Sequence, residues 1–555
     1  MTKLVKRTRI WGGYKLAVLL AVAMAGSAVF GACYYHIPNG GTVGYWDDTN
    51  CWWNSTAYNT HVDKPKNDTH IMDAGVTIYV TNDVTSVWGT LYNFTINASA
   101  TSAASILHVI EGGDVTISTL IPGNNANTHG TAIIDAGAMF RGSFTVGNSG
   151  FGVVTNSGAF RCEGNPTVGA NAAGVGLWVH EDGTNSFPNP KNLTVGKNGI
   201  GDVLVRSGEF WWRYWQSGSN RIGYVFVGHG DGGGTGRITV EDGATFKAGR
   251  CRFGGDGANA GHGELILRGG TYINNFDNGE ASVTFHIGAA TNGMGGIRTD
   301  SYGTIRGWGK FMYANVNTQD GRNIHARLGN GVIEGDGEGV ERTLDCSEMW
   351  QVTNVLFGVE MTNGWNAVNK GMVILPGVNA VVGTDGWGTY GGTNCVGCGK
   401  WLEKPDLINA VKIKAFRSFQ RHGWNFGAAV LAADRSDAHA SGLKRWWRPL
   451  GFWKAGTFSN RASWTTASCI PFTHATIDFR YDHRKLSGRP DSRIVVLRWD
   501  ETSEKWNVIA RYATPPADHV VSSGDMTTVS GDELYSLGLF CVAEDTTSGT
   551  VITFR

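Results

Sequence analysis

Seven side chains in the first half of this 555-residue sequence are of the types that grip acidic sugars: Arg141, Arg161, Trp211, Trp212, Arg213, Trp215 and Lys247. Four of them stand together in the run WWRYWQ. Indole faces stack on pyranose rings and cations pair with uronate or sulfate groups, so these residues offer adhesion to an anionic glycan. The plainer role for the same residues is an outer side-chain ladder with an inserted loop packed on its neighbour. Acids for catalysis are Asp135, Asp182, Asp242, Glu181 and Glu241, each just ahead of a glycine, where a turn explains it without chemistry. Asp231 in GHGDGGGTG and Asp256 in GGDGANAGHG suggest calcium turns. The nine-residue iteration that makes such sites specific is missing, and His229 and His262 are poor calcium ligands, so no metal and no other cofactor is expected. Cys395 and Cys398 in NCVGCGK lack a second ligand pair for zinc, which leaves a local disulfide or unpaired thiols. GCGKW lacks the Ser or Thr that would hold magnesium in a phosphate loop, and no G-x-S-x-G or H-E-x-x-H motif occurs.

The elements that must position these side chains are written as a repeat. From residue 144 the chain reads FTVGNSGFGVVTNSGAF, PTVGANAAGVGLWVHEDG, LTVGKNGIGDVLVRSGEF, VFVGHGDGGGTGRITVEDGATF and, more loosely, RFGGDGANAGHGELILRGGTY. The phrase recurs about every 22 to 35 residues, the period of a solenoid. Gly147, Gly169, Gly196 and Gly228 tolerate positive φ where a strand turns a corner. Gly150/Gly152, Gly174/Gly176, Gly199/Gly201, Gly234/Gly236 and Gly261/Gly263 are expected to serve the next corner. Stacked rungs would place Val146, Val168, Val195 and Val227 in one inward column and Phe140, Phe160, Phe210, Phe246 and Tyr272 in another. The residue after each aromatic then points outward, which puts Arg141, Arg161, Trp211, Lys247 and Ile273 on one flank.

The T-V-G-x-x-G-x-G-x-L-x-V-x-x-G-x-F phrasing over roughly residues 100 to 300 resembles the passenger-associated repeats of autotransporter-like secreted bacterial proteins, in the pectin-lyase-like class. The resemblance implies a parallel β-helix. That class holds adhesins, structural surface proteins and polysaccharide-cleaving enzymes, so activity does not follow from the fold. Catalysis in its enzymes needs a Lys or Arg base near carboxylate-bound calcium, or a pair of acids set for inverting hydrolysis.

Composition narrows the class further. The formal charge is zero, with 47 basic and 47 acidic residues, which argues against a nucleic-acid partner. Residues 1–32 read as an export signal, with Lys3, Lys6, Arg7, Arg9 and Lys15 around the start of LAVLLAVAMAGSAVFGA and a small-residue site at Ala23-Met24-Ala25. As a membrane span the apolar run is short and interrupted, so contact with a membrane is expected only through this signal. Phe30-Gly31-Ala32-Cys33 loosely resembles a lipoprotein processing box. In an exported chain the nine cysteines suggest some disulfides, and Cys33 with Cys51 and Cys469 with Cys541 are the pairs considered.

Residues 33–100 are expected to cap the first open rung, with Trp46, Trp52 and Trp53 as packing or, alternatively, a sugar platform. The β-helix is expected over 101–416. Past that point glycine thins and ATIDFRYD, RIVVLRWDE, WNVIARYA, YSLGLFCVAED and TVITFR alternate, which predicts a β-sandwich over 417–555. Trp446, Trp447, Trp453 and Trp464 are expected at the junction or on a second sugar surface. No translocating barrel fits in this last segment, so a surface protein would need another anchor. The whole reads as all-β, a parallel β-helix followed by a β-sandwich. The expected role is structural or adhesive at the bacterial surface or outside the cell, with an extracellular glycan or surface component as partner. The alternative is a polysaccharide lyase or glycoside hydrolase on the same scaffold.

Overall fold

A computed structural model of the chain describes most of residues 33–314, with breaks at 55–60, 63–68, 72–74, 85–90, 99–103, 187–190, 213–222, 229–232, 249, 255–260, 276–283 and 288–301. Between 325 and 431 it describes isolated strands, and beyond them 442–458, 474–489, 491–500, 502–527 and 538–547. The protein is all-β. Helical geometry among the described residues is confined to short 3-10 turns such as Pro38–Gly40 and His483–Lys485.

Up to the strand Val373–Pro376 the strands pair mostly in parallel, in three ladders. The first joins Met139–Val146, Ala159–Cys162 and Thr184–Ser186, and resumes at Glu209–Trp212 and Thr245–Ala248. A second runs from Val43–Tyr45 through Phe151–Asn156, Val175–Glu181, Ile200–Ser207 and Thr235–Glu241 to Val355–Gly358. The third joins Thr167–Val168, Leu193–Val195, Tyr224–Val227, Arg250–Phe253, Thr284–Ile287 and His325–Leu328. Parallel neighbours need a crossover, and here the other two ladders supply it.

Like residues fall over like. Val146, Val168, Val195, Val227 and Phe253 are successive register partners and all are buried. Burying each such side chain contributes about 1.5–3 kcal/mol, which no isolated rung could collect. Phe140 pairs with Phe160, Phe210 with Phe246, and Phe246 with Tyr272, their rings 5.4–5.9 Å apart. One rung departs from the column, because Asn185 stands opposite Phe160. Trp178 fills the space from the neighbouring ladder, its ring edge-on to Phe160 at 5.4 Å and to Phe210 at 5.1 Å.

The glycines have two separate jobs. Gly147, Gly169, Gly196 and Gly228 have φ between +64° and +70°, the left-handed corner expected of them. The glycines of the G-x-G motif lie outside the left-handed region and sit where backbones nearly touch, which corrects their expected role as a second corner. A Cβ on Gly201 would lie 2.2 Å from the Val168 carbonyl oxygen and 2.3 Å from the Gly196 nitrogen. Those two atoms are the acceptor and donor of a 2.7 Å hydrogen bond between rungs. Gly176 covers the equivalent bond from Gly169 to Val146, and Gly236 the one from Gly228 to Val195. Asparagines tie the same edge together: Asn148 donates to the Asn124 side chain, and Asn171 to that of Asn148.

Pairing becomes antiparallel where Val355–Gly358 and Thr393–Val396 meet Ala410–Phe416 and Val373–Pro376 meets Asn425–Leu431, ahead of the expected boundary at 416. One antiparallel set joins Ala410–Phe416, His474–Arg480 and Val520–Thr527; the other joins Asn425–Leu431, Trp447–Phe458, Gly538–Asp545, Arg493–Asp500 and Lys505–Tyr512. Side chains of the two sets meet where Phe479 lies 5.0 Å from Trp453 and 5.4 Å from Phe540. TVITFR lies in 548–555, outside the described residues.

Cys51 and Cys541 are free, buried thiols, so the pairings with Cys33 and Cys469 are not formed. Each is enclosed by its own packing: Cys51 lies 3.5 Å from the Asp48 carboxylate, and Cys541 is at the centre of a sheet. Cys162 and Cys251 are likewise free, and burial pushes both up to about 12. Cys398 and Cys469 lie outside the described residues, as do residues 1–32, where an export signal was expected.

Candidate functional site

The outer side chains of the first ladder form the flank expected to hold glycans. Arg141 pairs in register with Arg161, Trp211 with Lys247, and Lys247 with Ile273. Each cation already has a carboxylate. Arg141 Nη2 lies 2.6 Å from Asp114, Arg161 Nε 3.2 Å from Glu163, and Lys247 Nζ donates to Glu209 while standing 5.5 Å above the Trp211 ring. An incoming uronate would have to displace these partners, which cancels much of the gain.

Trp212 corrects the sequence reading. Strand alternation turns it inward, 2% exposed, parallel to Phe210, with its Nε1 donating to the Lys191 carbonyl at 3.0 Å. It fills the core and offers no face to a ligand. Arg213 and Trp215 lie outside the described residues, as do Asp231, Asp256 and His229.

The acids sort by environment. Glu181 and Glu241 both contact Arg206 across rungs, and Asp182 has φ +60°, a turn conformation. Asp135 faces His108, with its Oδ2 2.8 Å from Nε2, where it accepts when that nitrogen carries the proton. His108 stands 5.2 Å from the Tyr79 ring, and Tyr79 is 6.1 Å from Tyr45. These three are successive register partners on the outside of the second ladder, and the sequence reading missed them. Farther along that face, Arg237 bridges Asp202 at 3.7 Å and Glu264 at 3.6 Å, and Arg306 reaches Glu264 at 3.3 Å. Burial raises Asp202, with Arg237 opposing the shift.

On the third ladder the Tyr224 and Phe226 rings lie nearly parallel, 5.2 Å apart, with the Arg252 guanidinium 5.2 Å from one and 5.8 Å from the other. The signal was present in the sequence as YVFV, whose outward positions alternate with buried ones, and as Arg252 between the buried Cys251 and Phe253.

Inside the second ladder the apolar column Ile134, Asn156, His180, Val205 carries two polar side chains. Both are fully buried, and burial pushes His180 down to about 4. At the amino-terminal end Trp46 and Trp52 are buried, 5.3 Å apart, with Trp46 5.0 Å from Phe94. They pack, as the first of their two expected roles requires. In the last part Trp447 and Trp453 are buried, Trp446 is exposed beside Lys444, and Trp464 lies outside the described residues. No group of three or more His, Cys, Asp or Glu able to hold a metal occurs among the described residues.

No protein-family model, curated protein or solved structure matches the chain.

Proposed function

We propose that the chain is an exported bacterial surface or secreted protein, a capped parallel β-helix continued by a β-sandwich, whose role is structural or adhesive and includes contact with acidic glycans. The observation that carries this reading is the register: Val146 to Phe253 stack without a slip, so length is added by repetition and not by a larger core. Much of the outer charge is spent between rungs, in Asp202/Arg237/Glu264 and Glu181/Arg206/Glu241, which supports cohesion as its use. The antiparallel sets that meet at Phe479 support the sandwich. The likeness of the repeat to passenger segments points to the same class.

The experiment is fractionation and protease shaving of cells expressing the full chain, followed by incubation of purified residues 33–555 with acidic and neutral polysaccharides. Export with retention on acidic polymers and unchanged polymer length is the expected result. Unsaturated or reducing-end products would favour the second reading, a polysaccharide lyase or hydrolase, whose best support is the His108–Asp135 pair beside Tyr79.

A further inference from the structure

We propose that the outer face of the second ladder, from Val43 to Leu204, pairs with the same face of a second copy of this chain, the two copies running antiparallel. This goes beyond the reading above, since it requires neither export nor a glycan. Five large hydrophobic side chains stand exposed among the described residues, and four of them are on this face: Val43 at 53%, Tyr45 at 50%, Phe151 at 40% and Ile200 at 42%. Register supplies what lies between them. One outward row runs Val43, Thr77, Ile106, Thr131, Val153, Leu177. The row beside it runs Tyr45, Tyr79, His108, Ile133, Thr155, Val179, Leu204. A shorter third row holds His129, Phe151, Val175 and Ile200. None of these positions carries Asp, Glu, Lys or Arg. The core does not demand that choice, because it is filled from the alternate positions, among them Ile78, Leu107 and Val154.

Rows of Val, Ile, Leu and Thr suit another protein surface better than a sugar, which stacks on aromatic faces. Outward positions repeat at about 4.8 Å between rungs and about 6.6 Å along a strand. A second copy carries the same lattice, so the ridges of one face enter the grooves of the other at the usual sheet spacing of about 10 Å. The three rows present about 500 Å², and a pair of faces therefore covers about 1,000 Å², the lower limit of specific association. Charge sets the direction. Past Leu177 the first row continues as Asp202, Arg237 and Glu264, joined by ion pairs. Parallel copies would press these charges against their own counterparts and strip their water. Antiparallel copies centred on the apolar rows carry them past the other copy's first strand of this ladder, Val43–Tyr45, where they keep their hydration.

The test is sedimentation of protein purified from cells expressing the full chain. A monomer–dimer equilibrium with a dissociation constant of about 1–100 μM is expected. Val153→Lys/Leu177→Lys should weaken it at least about hundredfold, while Arg141→Gln/Lys247→Gln on the first ladder should leave it within about twofold. Single spin labels read the pairing without lysine substitutions, with the unsubstituted protein giving the background from its own cysteines. In antiparallel copies the two backbones lie about 11 Å apart at Thr131→Cys, near the two-fold axis, and about 26 Å apart at Val43→Cys, against about 10 Å at both sites in parallel copies. Monomer alone at about 100 μM, a dimer untouched by the lysine pair, or equal distances at the two labelled sites would each overturn the proposal. So would a polysaccharide that the monomer binds and Val153→Lys/Leu177→Lys loses, which would assign the face to a glycan. A chain that is exported and retained on glycans yet stays monomeric loses only this pairing; one that dimerises through these rows but is never exported loses only the broader reading.

Discussion

Replacing Gly201 with alanine adds one methyl group at the tightest point of the repeat. The new Cβ would lie 2.2 Å from the Val168 oxygen and 2.3 Å from the Gly196 nitrogen, and both are backbone atoms of neighbouring rungs. Neither can swing away, so the 2.7 Å hydrogen bond between them must stretch or the strand must lift. Overpacking of this kind costs about 1–3 kcal/mol and a lost hydrogen bond about 1 kcal/mol, against about 0.4–1 kcal/mol gained from a stiffer unfolded chain. The expected net loss is about 1–3.6 kcal/mol. Gly243→Ala is the comparison, since a Cβ there meets nothing within 4 Å and the strain is that of φ +74° alone, about 1–2 kcal/mol. Urea unfolding would rank the two, and hydrogen exchange would locate the damage, with the Gly196 amide losing protection only in Gly201→Ala. Equal midpoints together with an unchanged Gly196 amide would refute the close-contact explanation of the G-x-G motif.

Three further outcomes follow from burial. His180 is held near 4 by burial against an ordinary value of 6.5, so the unfolded chain takes up its proton first as the pH falls. Stability should therefore be level above pH 6.5 and decline by about 3 kcal/mol toward pH 4, and urea midpoints of His180→Leu should lack most of that slope. Trp212→Ala should destabilise by about 3–5 kcal/mol and Trp211→Ala by less than about 1 kcal/mol, read in the same unfolding assay. Cys51, Cys162, Cys251 and Cys541 should resist alkylation in the native protein and label fully in denaturant, as peptide mass mapping would show.

The stacking columns were legible because the repeat writes its core as a period: Val146, Val168, Val195 and Val227 follow the same Thr-or-Phe position and precede the same glycine. Asn185 was not legible, since the volume it gives up is returned by Trp178 from a different ladder. Trp212 is not legible as a core residue when WWRYWQ is read as one exposed run, because period-two alternation turns every second residue inward. Pairing of Arg141 and Lys247 with acids one rung away depends on register, which single-sequence spacing does not supply.

Spin labels placed in one register row measure the stacking itself. Thr145, Thr167, Thr194, Phe226, Arg252, His286 and Arg327 are successive partners, so a Thr145→Cys/Arg252→Cys pair spans four rung steps and a Thr145→Cys/Arg327→Cys pair six. At about 4.8 Å per step the backbone separations are about 19 Å and about 29 Å, so electron–electron distances in the two labelled proteins should differ by about 10 Å. Distances that do not grow with the number of rungs would contradict the stacked arrangement on which the account depends.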